Sequence, residues 1–164
     1  MTSRARLLCA ALAIVMALAG GARAREGQEE EAAARNPSHV AAREAIAARR
    51  YPEALRVLHE ALARDAKDAE THNLLGFAYR KMGDLEQAFR HYHEALVLNP
   101  EHRGAHEYIG EAYLAAGNLA KAEEHLRRLE RLCQSPCEEQ ADLRAAIDAY
   151  RAQRPTGAAP SPTR

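Results

Sequence analysis

Two cysteines, Cys133 and Cys137, and eight histidines are the side chains of this chain best suited to reactive chemistry. The Cys-x-x-x-Cys spacing is one residue longer than that of a dithiol redox centre, and no strand–helix–strand pattern surrounds it. A copper site would draw on a nearby imidazole, but His125 stands about 12 Å away along a helix. The preferred reading is a structural disulfide across a turn, with a redox pair, copper ligands and free thiols as the alternatives. Six of the histidines recur at one interval: His72 with His106, His59 with His93, and His91 with His125. They read as copies of structural positions rather than as a converging ligand set. His102 and His106 share a helix face, but a zinc ion needs its nitrogens within ~2.1 Å and no third ligand follows. No metal and no cofactor are expected. The chain has no Gly-x-Ser-x-Gly, phosphate loop, His-Glu-x-x-His or dinucleotide fingerprint, and a non-enzyme is expected.

The elements that would position these residues are helices. Apolar residues recur at helical spacing, Gly and Asn-Pro punctuate the turns, and no stretch alternates with a strand period. Ahead of them, residues 1–24 carry the marks of a secretory signal: Arg4 and Arg6, an apolar run from Leu7 to Ala19, and Ala22-Arg23-Ala24 as a small-x-small cleavage site. Residues 25–36 hold Glu29-Glu30-Glu31 with no large apolar side chain, a solvated leader. Residues 154–164, with Pro155, Pro160 and Pro162, read as a disordered tail. The helical domain occupies residues 37–153.

Cleavage after Ala24 removes Arg4, Arg6 and Arg23 and no acid. A chain of 23 basic and 23 acidic residues thereby becomes slightly acidic. Such a chain has no electrostatic footprint for nucleic acid or anionic membranes, and no membrane insertion is expected after cleavage. Export, to a periplasmic or extracellular location, also leaves two cysteines in an oxidising compartment.

Leu75-Gly76 recurs as Ile109-Gly110, Tyr79 as Tyr113, Gly83 as Gly117, and Ala88 as Ala122, always at an interval of 34 residues. With Tyr92, Ala95 and Pro100 this resembles the tetratricopeptide repeat family. The resemblance implies an all-α, right-handed helix-turn-helix solenoid of about three repeats plus a C-terminal capping helix. The first repeat, from Pro37 to Ala66, is degenerate, with Ala42 and Ala45 where Gly and Tyr belong. The third runs from Arg103 to about Leu132. In the pattern, Gly76 and Gly110 let the helices of a pair approach closely. Stacking is obligatory, because one pair cannot cover its own apolar stripe. Ser135 as N-cap, Pro136 at the first helical position and Glu138 at the third should start the cap helix. Its Leu143, Ile147 and Tyr150 should cover the open end of the third repeat.

The family lines a concave face with the first helix of each repeat. Carried over by position, the partner-binding residues are His39 and Arg43; Glu70, Asn73, Phe77, Arg80 and Lys81; and Glu107, Glu111 and Leu114. Asn73 is expected to bond a ligand backbone, Arg80 a ligand carboxylate, and Phe77 to anchor the partner. Gly104 and Tyr108 stand where the family's clamp for acidic C-termini has basic residues, so that clamp is not expected. The resemblance implies a protein-interaction scaffold of the cell envelope, docking a protein or peptide segment. The alternative is a subunit that self-assembles through its repeats into a homo-oligomer.

Overall fold

The computed structural model describes residues 36–153. The expected signal, residues 25–35 of the leader, and the tail lie outside the described residues. By its internal contacts the chain divides into two units, Met1–Val40 and Ala41–Arg164. Of the first, only the opening of a helix is described, where the Asn36 side chain accepts from Ser38 N at 3.0 Å.

Seven helices are found among the described residues: α1 (Pro37–Ala47), α2 (Tyr51–Arg64), α3 (Ala69–Lys81), α4 (Leu85–Leu98), α5 (Arg103–Ala115), α6 (Leu119–Leu132) and α7 (Glu138–Gln153). No strand occurs among the described residues, and no helix there is long and apolar enough to cross a membrane.

Short polar residues start the repeat helices by accepting orphan backbone N–H groups. Asp68 accepts from Glu70 N and Thr71 N, Asp84 from Gln87 N, and Asn118 from Lys121 N. An imidazole does the same for α5, where His102 Nδ1 accepts from Ala105 N. The turn between paired helices needs a left-handed residue, supplied by Gly83 (φ 87°) and Gly117 (φ 79°). At the matching place in the first repeat stands Arg49, at φ 58°. That repeat is degenerate at its turn as well as in its first helix.

Within the second unit α3 packs on α4 and α5 on α6, and each pair leans on the next. Gly76 is indispensable to this packing. A Cβ there would lie 2.6 Å from the ring of Tyr92, which is fully buried. The expectation that Gly110 plays the same part within its own pair is corrected. Its space is taken by the cap, a Cβ meeting Leu143 of α7 at 2.7 Å. Leu126 fills the position equivalent to Tyr92 and is smaller, so α7 closes the gap.

Leu143 and Ile147 of α7 are buried with Leu114, Leu126 and Leu129, and Tyr150 packs beside them. Leu114 is therefore core beneath the cap, not a groove residue. The cap helix also starts later than expected. Ser135 and Pro136 lie in the turn and Glu138 is the first helical residue, so no capping box forms at Ser135. Cys133 ends α6 and Cys137 precedes α7. Their Cα atoms are 5.9 Å apart, with the sulfurs at bonding distance.

Candidate functional site

The first helices of successive repeats, together with α7, share a face with two adjoining cavities. One, of about 320 Å³, is lined mainly by polar residues of α3, α5 and α7. The other, of about 180 Å³, is lined by Arg43, Ile46, Ala47, Leu74, Phe77 and Tyr108. Arg43, Leu74 and Tyr108 border both.

Glu70 organises one end of the polar cavity. It pairs with Arg43, accepts from His102 Nε2 at 2.9 Å and accepts from Asn73 Nδ2 at 3.1 Å. Because His102 Nδ1 accepts from a backbone amide, its neutral form carries the proton on Nε2 and donates it to Glu70. Burial alone would raise the Glu70 carboxyl. The contacts with His102, Arg43 and Asn73 outweigh that and hold it below its usual value.

Glu107, one helix over, has no such company. It is buried, lies within the cavity lining, and is pushed up to about 8 by burial and by the carboxylates of Glu111, Asp142 and Glu139, with Arg80 pulling the other way.

The apolar cavity is built on an aromatic pair. Phe77 meets Tyr108 edge-on, with ring centroids 4.9 Å apart. The Arg80 guanidinium lies 5.2 Å from the Phe77 centroid and Lys81 Nζ lies 5.1 Å from it. Arg80 is only 11 % exposed in its side chain, forms an ion pair with Glu111 and donates to the Tyr92 hydroxyl at 3.4 Å. A ligand carboxylate expected at Arg80 would thus compete with Glu111, whose ion pair leaves the buried Nη2 without a hydrogen bond. Burial, with Glu107, Glu70 and Glu111 nearby, raises the Tyr108 phenol to about 12, so it stays protonated at neutral pH.

Of the residues expected at the site, Arg43, Glu70, Asn73 and Glu107 meet at the polar cavity and Phe77 at the apolar one. Arg80 and Glu111 support the aromatic pair from behind, and Lys81 is exposed above Phe77. His39 is buried in the first turn of α1. His102 and the α7 acids Glu138, Glu139 and Asp142 also line the polar cavity but were not anticipated. Their signal was present in the acids at helical spacing, Glu138 and Asp142, one residue before the buried Leu143. Reading α7 only as a cover hid it.

A second feature lies between the paired helices. His72 Nδ1 meets His91 Nδ1 at 3.1 Å, and His106 Nδ1 meets His125 Nδ1 at 2.9 Å. The Nε2 atoms of His72 and His106 face the carbonyls of Ala66 and Pro100, so each donates there and its Nδ1 accepts from the partner. Tyr79 stacks on His91 and Tyr113 on His125. Burial, then the neighbouring His72, His59 and Arg90, pushes His91 down to about 4. Burial, then His106 and His93, pushes His125 down to about 4 as well, with Glu124 opposing and Lys121 assisting. These are pairs within repeats, at a spacing of 19 residues. Among the described residues no group of three or more His, Cys, Asp or Glu side chains is placed to hold a metal ion.

A tetratricopeptide repeat model matches residues 69–102, and a second matches residues 39–81. No curated protein matches the chain in sequence. Among solved structures, the Yersinia enterocolitica type III secretion translocator chaperone SycD is similar at 21 % identity and a TM-score of 0.63, over 71 % of this chain and 83 % of that one. The TPR2B domain of yeast Sti1 is similar at 18 % identity and a TM-score of 0.65, over 72 % and 96 %. The Sgt2 domain of Aspergillus fumigatus is similar at 16 % identity and a TM-score of 0.64, over 79 % and 87 %. Residues 39–102 thus match the tetratricopeptide repeat family, and the described helices form an all-α helical repeat solenoid like those of the similar structures.

Proposed function

We propose that the chain is a non-catalytic docking module of the cell envelope, taking a partner segment along the face formed by α1, α3, α5 and α7. The carrying observation is the Phe77–Tyr108 pair, an aromatic corner at a cavity that apolar residues leave open. Proteins of similar fold are known with peptides: SycD in complex with a peptide of the translocator YopD, and PcrH with the chaperone-binding region of PopD. Truncating an aromatic anchor commonly weakens binding by ~2 kcal/mol or more. Phe77→Ala should therefore reduce partner capture about tenfold or more, and shift the melting temperature by only a few degrees. A large loss of stability, with capture per folded molecule unaltered, would make Phe77 a core residue and remove the reading's main support.

Export completes the proposal. A signal cleaved after Ala24 delivers the Cys133–Cys137 pair to an oxidising compartment, where it forms a disulfide. The intact mass of protein isolated from cells, taken without reductant, tests both points. A chain starting at Arg25 and two hydrogens lighter than the dithiol supports them, and an intact Met1 overturns the export reading. The self-assembling alternative draws on SycD, which is also known as an alternative dimer. It predicts a sedimentation coefficient that rises with concentration and no stoichiometric foreign partner.

A further inference from the structure

We propose that the polar cavity between α3, α5 and α7 receives a cationic side chain, a lysine or arginine of the segment whose apolar residue sits against Phe77 and Tyr108. This deepens the docking reading and rests on it.

Five carboxylates line the cavity (Glu70, Glu107, Glu138, Glu139 and Asp142), against one guanidinium and one imidazole. The two basic groups are both committed to Glu70. Glu139 has Arg103 at 3.5 Å. Among the described residues no cation pairs with Glu107, Glu138 or Asp142.

One buried acceptor, Asn73 Oδ1, and the carboxylate of Glu107 in the cavity lining mark where the ligand's donors belong. Glu107 is 8 % exposed, and among the described residues no hydrogen bond or ion pair is found for its side chain. Asn73 is 3 % exposed, and while its Nδ2 donates to Glu70, its Oδ1 accepts from nothing. Buried acceptors without donors are costly and are rarely left so. An ammonium brings three N–H donors and a guanidinium five, enough for an acceptor and a carboxylate lining one cavity. Gly104 borders the cavity beside Asn73, and a Cβ at that position would come within 3.4 Å of Asn73 Nδ2. A glycine there leaves the approach open.

The charge is the reverse of what an acidic C-terminus would need. A divalent ion is the weaker fit, since no three of these side chains converge on one point. The electrostatics agree with the geometry. The Glu107 carboxyl, pushed up to about 8 beside Glu111, Asp142 and Glu139 and with Arg80 opposing, regains its charge when a cation arrives. Binding should release a proton near pH 7 and strengthen as pH rises through 8.

Panning a phage-displayed random peptide library on the full chain tests this. Enriched peptides should carry Lys or Arg close to an apolar residue. A synthetic copy should lose roughly tenfold or more in affinity when that basic residue becomes Ala, and again with Glu107→Gln or Asp142→Asn in the protein. Glu60→Gln, an exposed change on α2 in a pair with Arg56, should leave affinity unchanged. Equal weakening by Glu60→Gln would reduce the effect to overall charge and overturn the site. Enriched neutral or acidic peptides that are sensitive to Phe77→Ala but indifferent to Glu107→Gln would overturn the cation site and leave the docking groove standing. No enrichment over a bare support would overturn both.

Discussion

Glu107 is a carboxyl kept where the fold would be better off without its charge. Buried among Glu111, Asp142 and Glu139, it holds its proton up to about pH 8, against about 4.5 in the unfolded chain. The folded state therefore binds that proton more tightly than the unfolded state does. Below pH 4.5 the carboxyl is neutral in both states and no penalty arises. As pH climbs toward 8 the unfolded chain ionises freely, and by pH 8 and above the native state bears the charge at a cost of up to a few kcal/mol. Glu107→Gln removes the charge and keeps the shape. Its melting temperature should match wild type near pH 4.5 and exceed it by several degrees at pH 8. Circular dichroism melts across that range decide it, and parallel curves for the two proteins would mean that Glu107 is better solvated than its surroundings indicate. A residue whose removal stabilises the fold while weakening ligand capture is held for function.

The helix pair is where the two histidine couples act. His72–His91 and His106–His125 join the first and second helices of a repeat by hydrogen bonds that need one bare nitrogen in each couple. His91 and His125 are depressed from 6.5 to about 4, so the folded state binds their protons more weakly than the unfolded chain does. The stability tied to these groups is fully present above pH 6.5 and drains away as pH falls toward 4. Melting temperatures taken from pH 7 down to 4 should therefore fall, more steeply than those of the double variant His91→Asn, His125→Asn. Asn places an amide N–H near the former Nδ1, so it keeps the donor and lacks the titrating nitrogen. If the variant loses stability with acid as steeply as wild type, the couples are not the acid-sensitive element. The interval of 34 that relates the histidines was legible in the sequence, and it correctly separated them into copies. The contact interval of 19 was not, because it depends on which turn of one helix faces which turn of its partner. That register is set by the packing of the paired helices and not by any local pattern.

Across the whole molecule, what could be read from the sequence was what the repeat dictates. Gly, Ala and Tyr at fixed offsets specify helix pairs, and Phe77 was placed at the groove because its repeat position faces inward. What escaped was the end of the stack, where no next repeat supplies the frame. There α7 takes the space beside Gly110 with Leu143, buries Leu114, and adds three carboxylates to the cavity. The cap thus completes both the core and the site, which makes its attachment a property of the whole chain. The proposed Cys133–Cys137 disulfide would close a loop of about five residues, and so short a loop would contribute only about 2 kcal/mol by the chain-entropy account. That is small against a domain's total stability but large for one terminal helix, since a repeat array opens from its ends. Cys137→Ser should therefore speed amide exchange across residues 138–153 and in the neighbouring α6, while the α3–α4 pair exchanges as in wild type. It should also weaken capture of any ligand that uses Asp142, and leave contacts made through Phe77 intact. Hydrogen-exchange mass spectrometry of wild type and variant, under non-reducing conditions, measures this. Unchanged exchange in α7 would show that Leu143 and Ile147 hold the cap unaided, whereas faster exchange throughout would mean that the helices unfold as a single unit and not from the end.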